Sequence, residues 1–300
     1  MILMSDILKA YNDGRSLVSD GVSLNVLCEK APDADNINFL KIKNSLSEIS
    51  KYWYNEIKHI DCIYFLYSDE NSLPWLEQKM KKLNFYDAFP TQERISQIKI
   101  QGTTGGGGIS WVNEKLNLIF WQIVNSKSEI KNTGEIKTAP HLYSHSVQSY
   151  LANINGYKST NFPAWFIEGQ SDFSSLVSIS NTPKEYIQNR INFFKTAYIP
   201  GEQTRNEIKL WKTNDWVKNL KSSPMPFDGI PLIYEYYTGL LLYEKMMSKI
   251  GHFEIMNIFY KTCKNSNFYN NFTEKMNIKI EDFYLDCAQE LAELSKNIGF

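Results

Sequence analysis

The hydrophobic pattern of this 300-residue chain changes about halfway along its length, and that change limits the folds available to it. In the first half, short segments with an apolar residue at every second position, as in strands, alternate with segments that have helical spacing. Residues 22–28, 62–67 and 118–124 have the pattern of strands, and helical spacing is found over 39–53 and 74–83. The first half therefore predicts a small mixed β-sheet packed with helices.

The second half of the chain has mostly helical spacing. Candidate helices cover residues 140–154, 164–179, 184–196, 232–249, 252–263 and 280–296, with a helix stop predicted at Gly251. The two halves together predict an α+β fold, with an α+β sub-domain over residues 1–180 and a helical sub-domain over residues 181–300. Two such layers leave a cleft between them, where binding sites are commonly found.

The composition narrows the classes of partner. The 32 Lys and Arg residues balance 33 Asp and Glu residues, so the formal net charge is −1 and no basic surface for a phosphate backbone is indicated. We therefore expect no nucleic-acid partner, and a peptide or protein ligand is favoured over a charged polymer. The four cysteines are scattered and are predicted to be reduced packing residues: Cys28, Cys62, Cys263 and Cys287.

The N-terminal residues and the lengths of the apolar runs indicate where in the cell the chain is expected. Asp6 follows a stretch of only a few apolar residues, and no apolar run approaches the length of a membrane span. As numbered, the chain is therefore expected to be cytoplasmic with no membrane span, and extracytoplasmic if a leader precedes residue 1. The oligomeric state is not indicated.

Two of the four histidines lie four residues apart, at His141 and His145. On a helix, positions i and i+4 share one face, so both imidazoles would point in the same direction. That arrangement suits a single tetrahedral zinc ion. The alternative is two ordinary surface histidines. The remaining histidines, His59 and His252, have no such partner and are assigned no role.

A second pair with the same spacing follows about 25 residues later, at Glu168 and Asp172. One of these carboxylates could be a third metal ligand, and the other could accept a hydrogen bond from a ligating imidazole and so fix its tautomer. The alternative is two solvated acids on an exposed face. The flanking Trp165, Phe166 and Phe173 instead indicate a largely buried helix, in which unpaired acids are costly.

The order His-x-x-x-His, Ser-Val-Gln, then Pro-x-Trp-Phe-x-Glu-Gly-x-x-Asp, over residues 141–172, resembles the active-site core of gluzincin metallopeptidases, specifically the bacterial peptidase MA-like group. Weaker similarity extends over roughly residues 20–295. The resemblance implies a zincin-like fold with a small mixed sheet and an active-site helix. It implies Zn²⁺ ligation by His141, His145 and Glu168, with Asp172 behind them. It also suggests Tyr236 as an oxyanion stabiliser, but the chain has 18 tyrosines and packing in the core or at its rim is the favoured role for any one of them.

One position departs from the family pattern. Where the family has a glutamate directly after the first histidine as general base, this chain has Leu142, which cannot accept a proton. Loss of that base forfeits a factor on the order of 10²–10⁴ in rate.

Three hypotheses follow from this departure, in order of preference. The chain is a degenerate, metallopeptidase-like zinc-binding protein that holds a peptide in its cleft. Alternatively, it is an active zinc-dependent hydrolase that uses another base or zinc-hydroxide. The third hypothesis is a non-catalytic module that binds a peptide or partner without metal.

Overall fold

The computed structural model describes residues 4–19, 26–32, 34–57, 61–67, 73–82, 106–112, 116–123, 133–156, 162–196, 207–222 and 234–297. Its longer helices are α1 (Met4–Arg15), α2 (Asn36–Trp53), α3 (Leu73–Lys82), α4 (Thr133–Ile154), α5 (Ala164–Ser178), α6 (Pro183–Thr196), α7 (Thr213–Lys221), α8 (Tyr234–Asn265), α9 (Phe268–Met276) and α10 (Ile280–Asn297). Its strands are β1 (Val26–Lys30), β2 (Asp61–Tyr67), β3 (Gly106–Val112) and β4 (Leu116–Ile123).

The four strands pair in the order β1-β2-β4-β3. The strands β1, β2 and β4 run parallel, with Val26 opposite Cys62 and Cys62 opposite Leu118. The strand β3 is antiparallel to β4, with Ile109 opposite Ile119. Both β3 and β4 contact α4, so this edge of the sheet lies beside the helix that carries the two histidines.

The predicted fold class is wrong: the described part of the chain is predominantly helical, rather than an α+β, zincin-like unit followed by a helical one. The strands have five to eight residues, whereas α4 has 22 and α8 has 32. Helices are also prominent in the first half, including α1, which the pattern did not predict. The physical reason is that the described core is formed mainly by helices packed on helices, in both halves of the chain. The division at residue 180 stays a prediction.

The helix α5 lies at the centre of the described core, and every one of its residues is buried. It packs against α8, α4, α2, α1 and α6. The contact with α8 is a close approach of two glycines: a Cβ atom on Gly169 would lie 2.2 Å from the backbone oxygen of Gly239. Glycine at both positions therefore lets the two backbones touch, and this contact sets the position of α5.

The start of α4 differs from the prediction. The helix was expected from residue 140, yet it begins at Thr133 and includes Pro140 in its interior. A proline there removes one backbone donor, and this helix continues through it. The extra turns place Lys137 on the helix, one turn before His141. In α8, Gly251 has a positive φ of 71°, so the predicted helix stop there is confirmed as a break between two helical segments.

Within the described residues, no helix combines the length and the apolar character needed to cross a bilayer.

Candidate metal centre

The two histidines of α4 lie on one face of that helix, as their spacing predicts. Their ring centroids are 4.5 Å apart, and the Nε2 atoms of His141 and His145 approach to 2.9 Å. His141 is buried, with 7% of its surface exposed, and His145 is partly exposed. The pair therefore combines one buried and one more accessible imidazole.

Glu168 of α5 completes a triangle with the two histidines. Its Oε2 atom lies 3.1 Å from the Nε2 of His145 and 3.2 Å from the Nε2 of His141. The carboxylate is buried, with 4% of the residue exposed, so the alternative of a solvated acid on an exposed face is wrong. Two helices thus bring two imidazole nitrogens and one carboxylate oxygen to a single point.

The spacing of these three atoms fits a metal ion. A tetrahedral zinc ion with ligand bonds of about 2.0–2.2 Å holds its ligand atoms about 3.3–3.6 Å apart. The three observed separations, 2.9, 3.1 and 3.2 Å, are slightly shorter, so a small outward movement of the side chains would admit the ion. His141, His145 and Glu168 form a group that could hold a metal ion.

The hydrogen-bond partner of His141 fixes its tautomer. Its Nδ1 atom lies 2.7 Å from Oδ1 of Asp172, which is fully buried on α5. A carboxylate accepts hydrogen bonds, so Nδ1–H of His141 donates to it. The Nε2 atom of His141 then carries a lone pair directed at the triangle, the form that ligates a metal.

A chain of buried amides fixes His145 in the same way. Its Nδ1 atom lies 2.9 Å from Oε1 of Gln148. The amide nitrogen of Gln148 donates to the carbonyl of Ile167 at 2.9 Å and to Oε1 of Gln170 at 2.8 Å. Because that nitrogen is engaged, Oε1 of Gln148 must accept from Nδ1–H of His145. Gln170 in turn donates to the hydroxyl of Tyr243 at 3.0 Å, which anchors the chain on α8.

When both imidazoles are neutral, three lone-pair atoms converge, because the ring protons on Nδ1 are directed at Asp172 and Gln148. Electrostatics favour a positive charge at that point. Without a metal, a proton can take its place: burial alone raises the pKa of the Glu168 carboxyl, but the charge and hydrogen bonds of the protonated histidines outweigh it and hold that pKa well below its usual range. Burial alone lowers the pKa of His141, but the charge and hydrogen bond of Asp172 outweigh it and raise that pKa. The cluster thus attracts a proton or a metal cation.

Lys137 is a residue of this site that the sequence pattern did not single out. Its ammonium group forms an ion pair with Oδ1 of Asp172, the same oxygen that His141 contacts. It also lies 4.4 Å from the ring centroid of Phe193, a favourable cation–π contact. Its side chain is 11% exposed, so this is a largely buried pair. Its position four residues before His141 was the available signal.

Leu142 and Tyr236 are the remaining predicted site residues. Leu142 is partly buried and packs against the hydrophobic core. Its side chain has no proton acceptor, as the sequence predicts for this position. Tyr236 lies in α8, but its side chain falls outside the described part of the structure, so its suggested role stays a prediction.

Fold and site together define a predominantly helical protein with a His–His–Glu candidate metal centre between α4 and the buried helix α5. No family model, curated protein or solved structure matches the chain. The case for a function therefore depends on the geometry of this centre.

Proposed function

We propose that this chain is a gluzincin-type zinc-binding protein that lacks the usual general base, with His141, His145 and Glu168 as ligands. The observation that carries the proposal is the convergence of three ligand atoms on one point, with the second nitrogen of each histidine held by a buried partner, Asp172 for His141 and Gln148 for His145. Such preorganisation is typical of metal ligands, whose second nitrogen is commonly fixed by a carboxylate or a carbonyl.

The donor set favours zinc over harder cations. Two imidazoles and one carboxylate are the ligands of catalytic zinc sites that keep a fourth position open, whereas magnesium and calcium prefer oxygen ligands alone. When bound, zinc would supply Lewis acidity to a group in that fourth position. The protein's own residues hold and orient the ligands.

Leu142 makes this centre a degenerate one. At the position after the first histidine it can neither take a proton nor orient a water molecule. We infer that the protein binds a peptide or protein ligand at the centre without efficient hydrolysis.

Metal content tests the proposal directly. The full chain, prepared without a histidine tag and without chelator, should contain about one zinc per chain by mass spectrometry. His145→Ala should lose it. The matched control is His252→Ala, because His252 is a partly buried histidine that pairs with Glu56 at 3.3 Å and contacts none of the proposed ligands. Absence of zinc from the wild-type chain, even after incubation with the metal, would rule the proposal out.

A gain-of-function variant tests the missing base. Leu142→Glu should raise chelator-sensitive peptidase activity by a factor on the order of 10²–10⁴. Leu142→Gln is the matched control, since it has the same length without a proton-accepting carboxylate. A zinc-loaded wild-type chain that already hydrolyses peptides at the rate of Leu142→Glu would instead favour an active hydrolase that uses another base.

A further inference from the structure

We propose that the open position of this metal centre binds a monoanionic carboxylate. The inference rests on the proposed function, since it requires a divalent ion held by His141, His145 and Glu168. It goes beyond that function by naming the chemical class of the ligand.

The charges at the centre carry the argument. A divalent ion contributes +2, and the buried carboxylates of Glu168 and Asp172 contribute −2. The ammonium group of Lys137, paired with Asp172, adds +1. The described charged groups and the ion together therefore have a net charge of +1, in a buried environment where an uncompensated charge is costly.

Burial and two contacts hold the ammonium group of Lys137 at the site, so its charge is little screened by water. Its side chain is 11% exposed, its ammonium pairs with a fully buried carboxylate, and it lies over the ring of Phe193. The positive charge of Lys137 thus cancels the negative charge of Asp172. The metal ion and the Glu168 carboxylate together then have a net charge of +1.

Leu142 removes the group that would repel an anion. A glutamate after the first histidine would bring a second carboxylate to the centre and reduce the net charge to zero. Leucine adds no negative charge there, and its side chain packs against the hydrophobic core. The same substitution that removes the general base therefore makes the open position suitable for an anion.

The net charge of +1 favours a ligand with a single negative charge. One negative charge neutralises a net charge of +1, whereas a phosphate dianion would leave a net negative charge buried at the centre. A carboxylate is monoanionic at neutral pH and is an established ligand type for zinc. The chemistry is shared by a peptide C-terminus and by a small carboxylic acid, and the experiment separates these two sources.

The test uses the full chain loaded with cobalt(II), whose visible spectrum reports a change of ligand. The probes are acetate, acetyl-dialanine with a free C-terminus, the same peptide as its C-terminal amide, and inorganic phosphate. Acetate and the free acid should change the spectrum saturably, and the amide should not. Tighter binding of the free acid than of acetate would identify a peptide C-terminus as the source, and equal affinities would identify a small carboxylic acid.

Three results would overturn the inference while the metal centre stands. They are metal uptake with no spectral response to either carboxylate, equal binding of the amide and the free acid, and tighter binding of phosphate than of both carboxylates. Failure to take up cobalt or zinc would overturn the proposed function as well, so the two failures are distinguishable.

Charge variants sharpen the test. Lys137→Met should weaken carboxylate binding on the order of tenfold, and Lys137→Arg should restore most of it. Lys245→Met is the matched control, because Lys245 is a buried lysine paired with Asp286 at 2.6 Å and contacts none of the proposed ligands. Equal affinities for Lys137→Met and Lys245→Met would overturn the role of Lys137. Should Lys137→Met fail to fold, Leu142→Glu must weaken binding at least about tenfold more than Leu142→Gln.

Discussion

Two carboxylates, Glu244 and Glu168, are buried between helices of this protein, and their nitrogen-containing partners are of different kinds. Glu244 of α8 accepts hydrogen bonds from Nε of Arg190 at 2.8 and 2.9 Å, and from the hydroxyl of Tyr186 at 2.6 Å. Glu168 of α5 instead lies 3.1 and 3.2 Å from the Nε2 atoms of His145 and His141. The first cluster is an ion pair between two of the protein's own side chains, and the second belongs to a group that could hold a metal ion.

Because of this difference, the Arg190–Glu244 pair should have a structural role, whereas the Glu168 group is a candidate binding site. Arg190 also lies 4.7 Å from the ring centroid of Phe194, so its guanidinium is fixed on several sides. Removal of either partner should therefore cost stability under all conditions. At Glu168, stability should depend on what occupies the centre.

The largest effect is expected from breaking the Arg190–Glu244 pair. Glu244→Gln removes the carboxylate that pairs directly with the buried guanidinium of Arg190, and should lower the free energy of unfolding by about 3–5 kcal/mol, with or without zinc. Chemical denaturation measures it. The control is Asp13→Asn, which removes an exposed pair with Lys9 and should cost roughly 0.2–1 kcal/mol. Equal costs for the two variants would mean that the Arg190 pair is not a stabilising element.

The next largest effect is expected from zinc, which should stabilise the protein through Glu168 and not through Glu244. At free zinc concentrations of about 100–1,000 times the Kd, the free energy of unfolding of the wild type should rise by about 3–4 kcal/mol. Glu168→Gln should lose most of this rise, because it removes the charged ligand. Magnesium at the same concentration serves as the control cation and should have little effect. The same zinc-dependent rise in Glu168→Gln would contradict ligation by this carboxylate.

The sequence alone predicted the local part of this site well. The i, i+4 spacing of His141 and His145 depends only on helix geometry, and the aromatic residues around Glu168 correctly indicated a buried helix. The fold class was wrong, because short segments of alternating hydrophobicity were given the same weight as helices. Lys137 was missed because Pro140 was taken as the first residue of its helix.

Other parts of the site depend on tertiary contacts and have no local signal. The approach of Gly169 to Gly239 joins residues 70 positions apart, and nothing in either segment indicates the other. The amide chain from Gln148 through Gln170 to Tyr243 likewise crosses three helices. A glutamine in a helical pattern is ordinarily expected on the surface, so its part in fixing His145 could be seen only in the structure.

That amide chain gives a smaller, sharper prediction. Gln148→Leu removes the nearer acceptor for Nδ1–H of His145 and leaves the hydroxyl of Ser171 at 3.2 Å, so it should lower zinc affinity about 10–100-fold by loosening the ring and its tautomer. Competition with a coloured chelator measures the affinity. Ser178→Ala is the matched control, since it removes a buried hydroxyl of α5 that bonds only to the backbone of Ser175 among the described contacts. Unchanged affinity in Gln148→Leu would show that His145 needs no such support.

The smallest expected effect is a reversal of pH dependence between the metal-free and the zinc-loaded protein. The pKa of His141 is raised from 6.5, so without metal its contribution to stability is complete below about pH 6.5 and is lost as pH rises through the raised pKa. The pKa of Glu168 is lowered from 4.5, so its contribution is present above about pH 4.5 and is lost as pH falls below that value. The metal-free chain should therefore be most stable between these limits.

Zinc should invert the upper limb of that profile, because the metal binds the unprotonated Nε2 atoms and competes with the proton. Denaturation should be measured at about pH 6 and pH 8. The stability of the chelator-treated protein should fall between these two pH values, and the additional stability that zinc provides should rise. In Glu168→Gln the two profiles should run nearly parallel. Among the described residues, the Arg190–Glu244 pair is not part of the group that could hold a metal ion, so it should contribute equally to both forms. Metal-free stability that rises steadily through neutral pH would contradict a centre arranged to hold positive charge.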